Sequence, residues 1–203
     1  MKKQELLIIM PARNEEKNLP RLLDQMELEG IPQMADVLII NDASEDRTAQ
    51  IIAERGYRTV NNVFSLGYGG ALQVGYKYAV RTGYRYVIQM DSDGQHDPCN
   101  VHALYSRLLE QDAPDIVLGT RYWKGARDVS LTPAKRLAHK MFRVLIWLMT
   151  KQVITDPTTG LQGLSRDAFS CYARYDNFDV RYPDANMLMQ MLMLNYRVAE
   201  VPA

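Results

Sequence analysis

The sequence predicts an α/β protein with a mostly parallel central sheet, packed between helices in three layers. Three observations predict it. Short, unbroken apolar runs, Leu6-Leu7-Ile8-Ile9-Met10, Val37-Leu38-Ile39-Ile40 and Ile116-Val117-Leu118, read as strands buried on both faces. Helical stretches alternate with these runs, the pattern that builds βαβ units. Polar residues close each run, where an open sheet exposes ligand-binding groups outside the carboxyl ends of its strands.

The 203 residues suffice for one domain with its own core, and 47% hydrophobic with 24% charged residues is an ordinary globular composition. Lysine plus arginine equals aspartate plus glutamate, 24 each, so bulk charge does not support a nucleic-acid partner. Cys99 and Cys171 form no CxxC or Cys/His metal spacing, and a reduced, cytoplasmic setting is expected. After the charged start Met1-Lys2-Lys3-Gln4-Glu5 the apolar run is too short for a signal-peptide core. The longest apolar run, Val144-Leu145-Ile146-Trp147-Leu148-Met149, is too short to cross a bilayer. The expectation is a cytoplasmic protein, free or peripheral on the cytoplasmic face of the membrane.

Taken in order, Pro11 ends the first strand, and Asn14 or Asn18 caps a helix that runs to about Glu29, with Gly30 as its stop. The second strand closes at Asn41-Asp42, and Ser44 or Asp46 caps a helix to Gly56. A short strand over 58–60 follows, then Gly67-Tyr68-Gly69-Gly70 leads into a helix over 71–81. A strand over 84–90 and a helix over 98–110 precede the strand at 116–119. After Arg121 the stretch 122–130 is polar and basic, a loop. A long helix over 133–151 carries Lys135, Arg136, His139, Lys140 and Arg143 at helical spacing and is apolar nearly all round in its second half. The turn Thr155-Asp156-Pro157-Thr158-Thr159-Gly160, a short strand over 161–164, a helix from Asp167, a Met-rich helix over 187–194 and a strand over 197–201 complete a single domain, 1–203.

The densest chemistry lies in Asp91-Ser92-Asp93-Gly94-Gln95-His96-Asp97-Pro98. Asp-x-Asp sets two carboxylates close together, a donor pair for hard Mg²⁺ or Mn²⁺. The alternative is an acidic turn opening the next helix, for which Asp97-Pro98 is well suited. In Pro11-Ala12-Arg13-Asn14-Glu15-Glu16, Glu15 can accept hydrogen bonds from ribose hydroxyls or simply favour a helix N-terminus. Asp42, left over once the cap is assigned, can accept from a nucleobase N–H. Gly67-Tyr68-Gly69-Gly70-Ala71 lacks the third glycine of a dinucleotide fingerprint because Leu72 stands there. Its glycines read as a tight turn with close packing. Arg121, at a strand end, can bind a phosphate bidentately or lie on the surface. His96 orients its neighbours, and the methionines at 187, 189, 191 and 193 fill core and line a groove.

These pieces, in this order, resemble the family 2 glycosyltransferases of the GT-A fold, and within them the dolichyl-phosphate mannose synthases and bacterial polyprenyl-phosphate glycosyltransferases. Pro11-Ala12-Arg13-Asn14-Glu15 is similar to the family's nucleoside-holding motif. Asn41-Asp42-Ala43-Ser44-Glu45-Asp46-Arg47-Thr48 is similar to the motif whose Asp reads the base. The glycines from Gly67 to Gly75 resemble the segment before its third helix. Asp91-Ser92-Asp93-Gly94-Gln95-His96 is similar to the metal motif, Gly119-Thr120-Arg121-Tyr122 to the phosphate segment, and Thr159-Gly160-Leu161-Gln162-Gly163-Leu164 to the acceptor-side strand. The resemblance implies a nucleotide-sugar part over 1–121 and an acceptor part over 122–203. It implies donor binding by Pro11, Ala12, Arg13, Glu15, Asp42, Gly69, Asp91 and Ser92, and metal binding by Asp91, Asp93 and Gln95. Relatives carry a Glu before the last helix where this chain offers Asp184, and they continue past Glu200-Val201-Pro202 with a basic segment that is not seen before Ala203.

The reaction expected is inverting transfer from a UDP- or GDP-sugar, with Mg²⁺ or Mn²⁺ acting as Lewis acid and template. Asp93 is the catalytic carboxylate that holds the ion. If the acceptor is a polyprenyl phosphate at the membrane surface, Arg121, Arg136 and Lys140 are positioned to hold its phosphate. If it is a saccharide hydroxyl, Asp184 is the candidate base. A sugar-phosphate nucleotidyltransferase would show a Gly-rich loop after the first strand, which Pro11-Ala12-Arg13-Asn14 is not. A non-catalytic sugar-nucleotide-binding protein is the remaining alternative.

Overall fold

The structure, a computed structural model, describes residues 4–122, 133–181, 183 and 185–203; over 133–140 it describes the backbone. Its strands are β1 (Leu6–Ala12), β2 (Asp36–Asn41), β3 (Arg58–Asn61), β4 (Tyr86–Gln89), β5 (Ile116–Thr120), β6 (Gln162–Ser165) and β7 (Val198–Pro202). Its helices are α1 (Leu19–Leu28), α2 (Ile31–Met34), α3 (Thr48–Glu54), α4 (Gly67–Thr82), α5 (Asn100–Leu108), α6 (Pro133–Thr150), α7 (Arg166–Tyr172) and α8 (Ala185–Met193). The strands form one sheet in the order β3-β2-β1-β4-β6-β5-β7. Every pairing is parallel except those of β6, which is antiparallel to both β4 and β5. The mostly parallel α/β sandwich expected from the sequence is therefore present.

The continuous apolar runs have a simple cause: alternate residues of one strand enter different cores. Leu7 and Ile9 of β1, with Leu38 and Ile40 of β2, pack on one face against Leu72 and Tyr76 of α4, Phe169 of α7 and Met187 and Met191 of α8. Leu6, Ile8 and Met10, with Val37 and Ile39, pack on the other face against Leu22, Leu23 and Met26 of α1 and Leu104 and Leu108 of α5. From β1 the chain steps outward to β2 and β3, then returns to place β4 on the other side of β1. The strand order thus reverses between β1 and β4, the place where an open α/β sheet forms a ligand crevice.

Several boundaries differ from the expectation. The glycine-rich segment does not precede α4 but forms its first turns, because a carboxylate from β2 satisfies the backbone N–H groups at Leu66 and Gly67. Gly69 packs there so tightly that a Cβ would sit 2.5 Å from the Val180 carbonyl oxygen. The strand expected over 84–90 starts at Tyr86, since Tyr84 turns inward to donate to Asp36 (2.7 Å). The helix after Asp97-Pro98 begins at Asn100. Gly30 does stop α1, in the left-handed conformation, but a further helical turn, α2, follows it directly.

Candidate functional site

Two loops at the carboxyl ends of β1 and β2 are laced together. Glu15 N–H donates to Thr48 Oγ1 (2.8 Å), Glu16 N–H to Asp46 Oδ2 (3.1 Å) and Asn14 N–H to Ser44 Oγ (3.1 Å), while Asn14 Oδ1 accepts from Glu45 N–H (2.8 Å). Asn14 and Ala43 take left-handed φ values of 57° and 54° to make these turns. Asp46 also accepts from the Thr48 N–H at the start of α3. The carboxylates of Asp46 and Glu16 fix the platform, and Glu15 lines the cleft.

Asp42, at the end of β2, is 3% exposed. It accepts hydrogen bonds from Asn62 Nδ2 (2.8 Å), Ser65 Oγ (2.7 Å), Leu66 N–H (2.8 Å) and Gly67 N–H (2.9 Å). Burial pushes its carboxyl up, but the hydrogen bonds from Leu66, Asn62, Ser65 and Gly67 outweigh burial and hold it below the ordinary value of 3.8. One carboxylate thus anchors the loop after β3, caps α4 and lines the cleft.

Across the cleft, Ser92 Oγ donates to the Pro11 carbonyl (2.6 Å) and ties the segment after β4 to β1. Asp91 Oδ1 accepts from the Tyr68 hydroxyl (2.7 Å), and Oδ2 lies 3.6 Å from Nε2 of buried His96. Burial pushes Asp91 up, and the His96 imidazole, the Tyr68 hydroxyl and the Arg121 charge more than reverse it. Asp93 Oδ1 accepts from Gln95 N–H (2.9 Å), with Gly94 at φ 77° making the turn. Pro11, Ala12, Arg13, Glu15, Asp42, Gly67, Tyr68, Ala71, Asp91, Ser92 and Asp93 line a single cleft of about 370 Å³.

The floor beside Asp91 comes from the turn after α6. Gly160 lies against Asp91, and its carbonyl accepts from Gln89 Nε2 (3.1 Å). Asp156, fully buried, takes Nε (2.8 Å) and Nη2 (3.1 Å) of Arg121 in a fork. Glu200 of β7 accepts from the N–H groups of Thr155 (2.9 Å) and Asp156 (3.1 Å) and holds the turn from behind.

Seven of the eight expected donor-binding residues therefore line the cleft: Pro11, Ala12, Arg13, Glu15, Asp42, Asp91 and Ser92. Gly69 does not; it serves the packing of α4 on Val180. Asp93 lines the cleft, Gln95 is exposed, and Arg121, outside the cleft lining, acts on Asp91 by its charge with Nε and Nη2 held by Asp156. Asp184 and the side chains of Arg136 and Lys140 lie outside the described residues. Sequence reasoning missed Tyr68, Gly160 and Asp156. A tyrosine inside a glycine-rich turn gave no chemical signal, and Asp156 read as a turn former.

Among the described residues no three His, Cys, Asp or Glu groups converge into a ready-made metal cage. The donor set nonetheless fits a hard cation: the carboxylates of Asp91 and Asp93 and the amide oxygen of Gln95 are all oxygen donors within five residues of one another.

Helix α6 shows an unusual surface. Ile146 is buried, yet Met141, Val144, Leu145, Trp147, Leu148 and Met149 are each between 39% and 54% exposed. Lys151 stands over the Trp147 ring at 5.0 Å. Among the described residues no helix is long and apolar enough to cross a membrane.

The model of Glycosyl transferase family 2 matches residues 7–173. An undecaprenyl-phosphate mannosyltransferase of Micrococcus luteus is 26% identical over 209 residues, covering 97% of this chain and 82% of its own length. Glucosyl-3-phosphoglycerate synthase from Mycobacterium tuberculosis, solved with Mn²⁺, UDP and phosphoglyceric acid, superposes with a TM-score of 0.71 at 18% identity over 99% of this chain and 69% of that one. A mannosyltransferase from Pyrobaculum calidifontis, solved with GDP-Man and Mn²⁺, does so with a TM-score of 0.68 at 17% identity over 100% of this chain and 56% of that one.

Proposed function

The chain belongs to Glycosyl transferase family 2, and from that premise we propose that it moves a sugar, with inversion, from a nucleoside-diphosphate sugar to a polyprenyl phosphate. It is a glycosyltransferase of the GT-A fold, related to polyprenyl-phosphate sugar transferases. The observation that carries the finer reading is the cleft itself. Asp42 lies at one end and Asp91 and Asp93 at the other, along one groove at the sheet's reversal point.

In this reading the nucleoside rests between the loop of Arg13 and Glu15 and the start of α4. Asp91, Asp93 and Gln95 would hold Mg²⁺ or Mn²⁺, whose charge would offset the negative charge on the departing diphosphate. Arg121 presents the guanidinium edge left over from Asp156 to a phosphate oxygen. The acceptor phosphate oxygen attacks the anomeric carbon as the bond to the diphosphate breaks. That oxygen is already anionic, so no general base is required, whereas a saccharide hydroxyl would need one. The exposed apolar half of α6 supports a lipid acceptor, since a core helix would bury those residues.

The test is transfer of labelled sugar from UDP- and GDP-sugars to polyprenyl phosphate in detergent. Label in the organic phase supports the reading. Transfer only to water-soluble saccharides refutes the lipid acceptor.

A further inference from the structure

Tyr68 stands in the first turn of α4, directly after Gly67, whose N–H is held by Asp42. Its ring lines the cleft, and its hydroxyl donates to Asp91 Oδ1 at 2.7 Å. The other oxygen of Asp91 is the nearer one to Gly160. Oδ2 faces Gly160, where a Cβ would come within 2.1 Å, and lies 3.6 Å from His96 Nε2. Oδ1 is the oxygen that the cleft-lining Tyr68 covers. A divalent ion entering between Asp91 and Asp93 meets this hydroxyl first.

We infer that Tyr68 is a latch on the cleft-facing oxygen of Asp91, a positioning residue that couples binding of the nucleoside diphosphate to binding of the metal ion. This rests on the proposed function and deepens it. Without nucleotide, the hydroxyl competes with the ion for Oδ1. A nucleoside diphosphate lying along Asp42, Gly67 and Ala71 occupies the space of the Tyr68 ring and turns it away. The oxygen is then released next to the diphosphate whose charge the ion would share. By linkage the ion favours nucleotide by the same factor as nucleotide favours the ion. The latch also supports Asp91 while the cleft is empty: the half-buried carboxylate keeps a hydrogen bond from the phenol on Oδ1, with His96 beside Oδ2.

The experiment is titration of the whole chain with Mn²⁺, followed by electron paramagnetic resonance of free Mn²⁺, for wild type and Tyr68→Phe, with and without UDP or GDP. The inference expects Tyr68→Phe to bind Mn²⁺ about tenfold more tightly than wild type without nucleotide, the scale of one charge-assisted hydrogen bond. It expects the two to converge once nucleotide is present. Unchanged or weaker Mn²⁺ binding by Tyr68→Phe overturns the latch. If wild type then still binds Mn²⁺ with nucleotide in a way that Asp91→Asn abolishes, the metal site stands without it. No Asp91-dependent Mn²⁺ binding in any condition overturns both. Tyr68 is 42% exposed and its substitution removes one oxygen, so the variant should fold and melt only the few degrees lower that one lost hydrogen bond costs.

Discussion

Gly160 and Asp91 touch so closely that a Cβ on Gly160 would lie 2.1 Å from Asp91 Oδ2. The contact joins two segments about seventy residues apart in sequence, and it explains why a glycine in the turn after α6 belongs to the site. Gly160 does not adopt a left-handed φ, so only space excludes a side chain there. Gly160→Ala is predicted to displace the Asp91 carboxylate and weaken Asp91-dependent Mn²⁺ binding by more than about tenfold, roughly the energy of one or two polar contacts. Metal titration beside a thermal melt checks this. Unaltered Mn²⁺ affinity in a folded variant contradicts it.

Asp42 is predicted to be structural as much as it is a ligand. Asp42→Asn keeps one acceptor oxygen but turns an NH₂ toward groups that already donate, which costs about 1–3 kcal/mol. The pH dependence has a definite sign. The folded pKa lies below the ordinary 3.8, so the stabilisation is fully present above that value and is lost as pH falls through the depressed one. The stability gap between wild type and Asp42→Asn, measured by urea unfolding, should therefore shrink from roughly pH 6 to about pH 3. A constant gap across that range would falsify the assignment.

Arg121 and Asp156 form a fork in which the carboxylate is fully buried. Asp156→Ala leaves Arg121 without its partner and removes the hold on the turn beside Asp91, with a predicted cost of about 3–5 kcal/mol. Arg121→Lys cannot reproduce the fork, and it is predicted to lower sugar transfer at least tenfold while destabilising less than Asp156→Ala. Chemical denaturation and steady-state rates separate the two effects. Equal stability of Asp156→Ala and wild type contradicts the role given to the pair.

The apolar flank of α6 is predicted to contact lipid. Trp147→Glu with Leu148→Glu, at positions 47% and 51% exposed, should leave the melting temperature within a few degrees and abolish co-flotation with anionic liposomes. Flotation by the double variant equal to wild type removes this support for a lipid acceptor.

The fold was legible because the central strands β1, β2 and β5 had to be apolar on both faces, as Leu6-Leu7-Ile8-Ile9-Met10 shows. The cleft lining was legible because its residues follow strands closely, as Asp42 and Asp91 do. What stayed hidden depended on contacts between distant segments. The start of α4 is set by Asp42, 25 residues upstream of Gly67. The antiparallel insertion of β6 has no local signature. Tyr68, Gly160 and Asp156 acquire meaning only beside Asp91 and Arg121.

We propose that the carboxylates after β4 hold a divalent ion that sugar transfer requires. The most direct measurement is the rate of transfer from the preferred UDP- or GDP-sugar, with and without Mn²⁺ after EDTA treatment, for wild type and Asp93→Ala. The account predicts that wild type is silent after EDTA and restored by Mn²⁺, and that Asp93→Ala loses at least about a hundredfold in rate at any Mn²⁺ concentration. Full turnover by Asp93→Ala, or by EDTA-treated wild type, would contradict it.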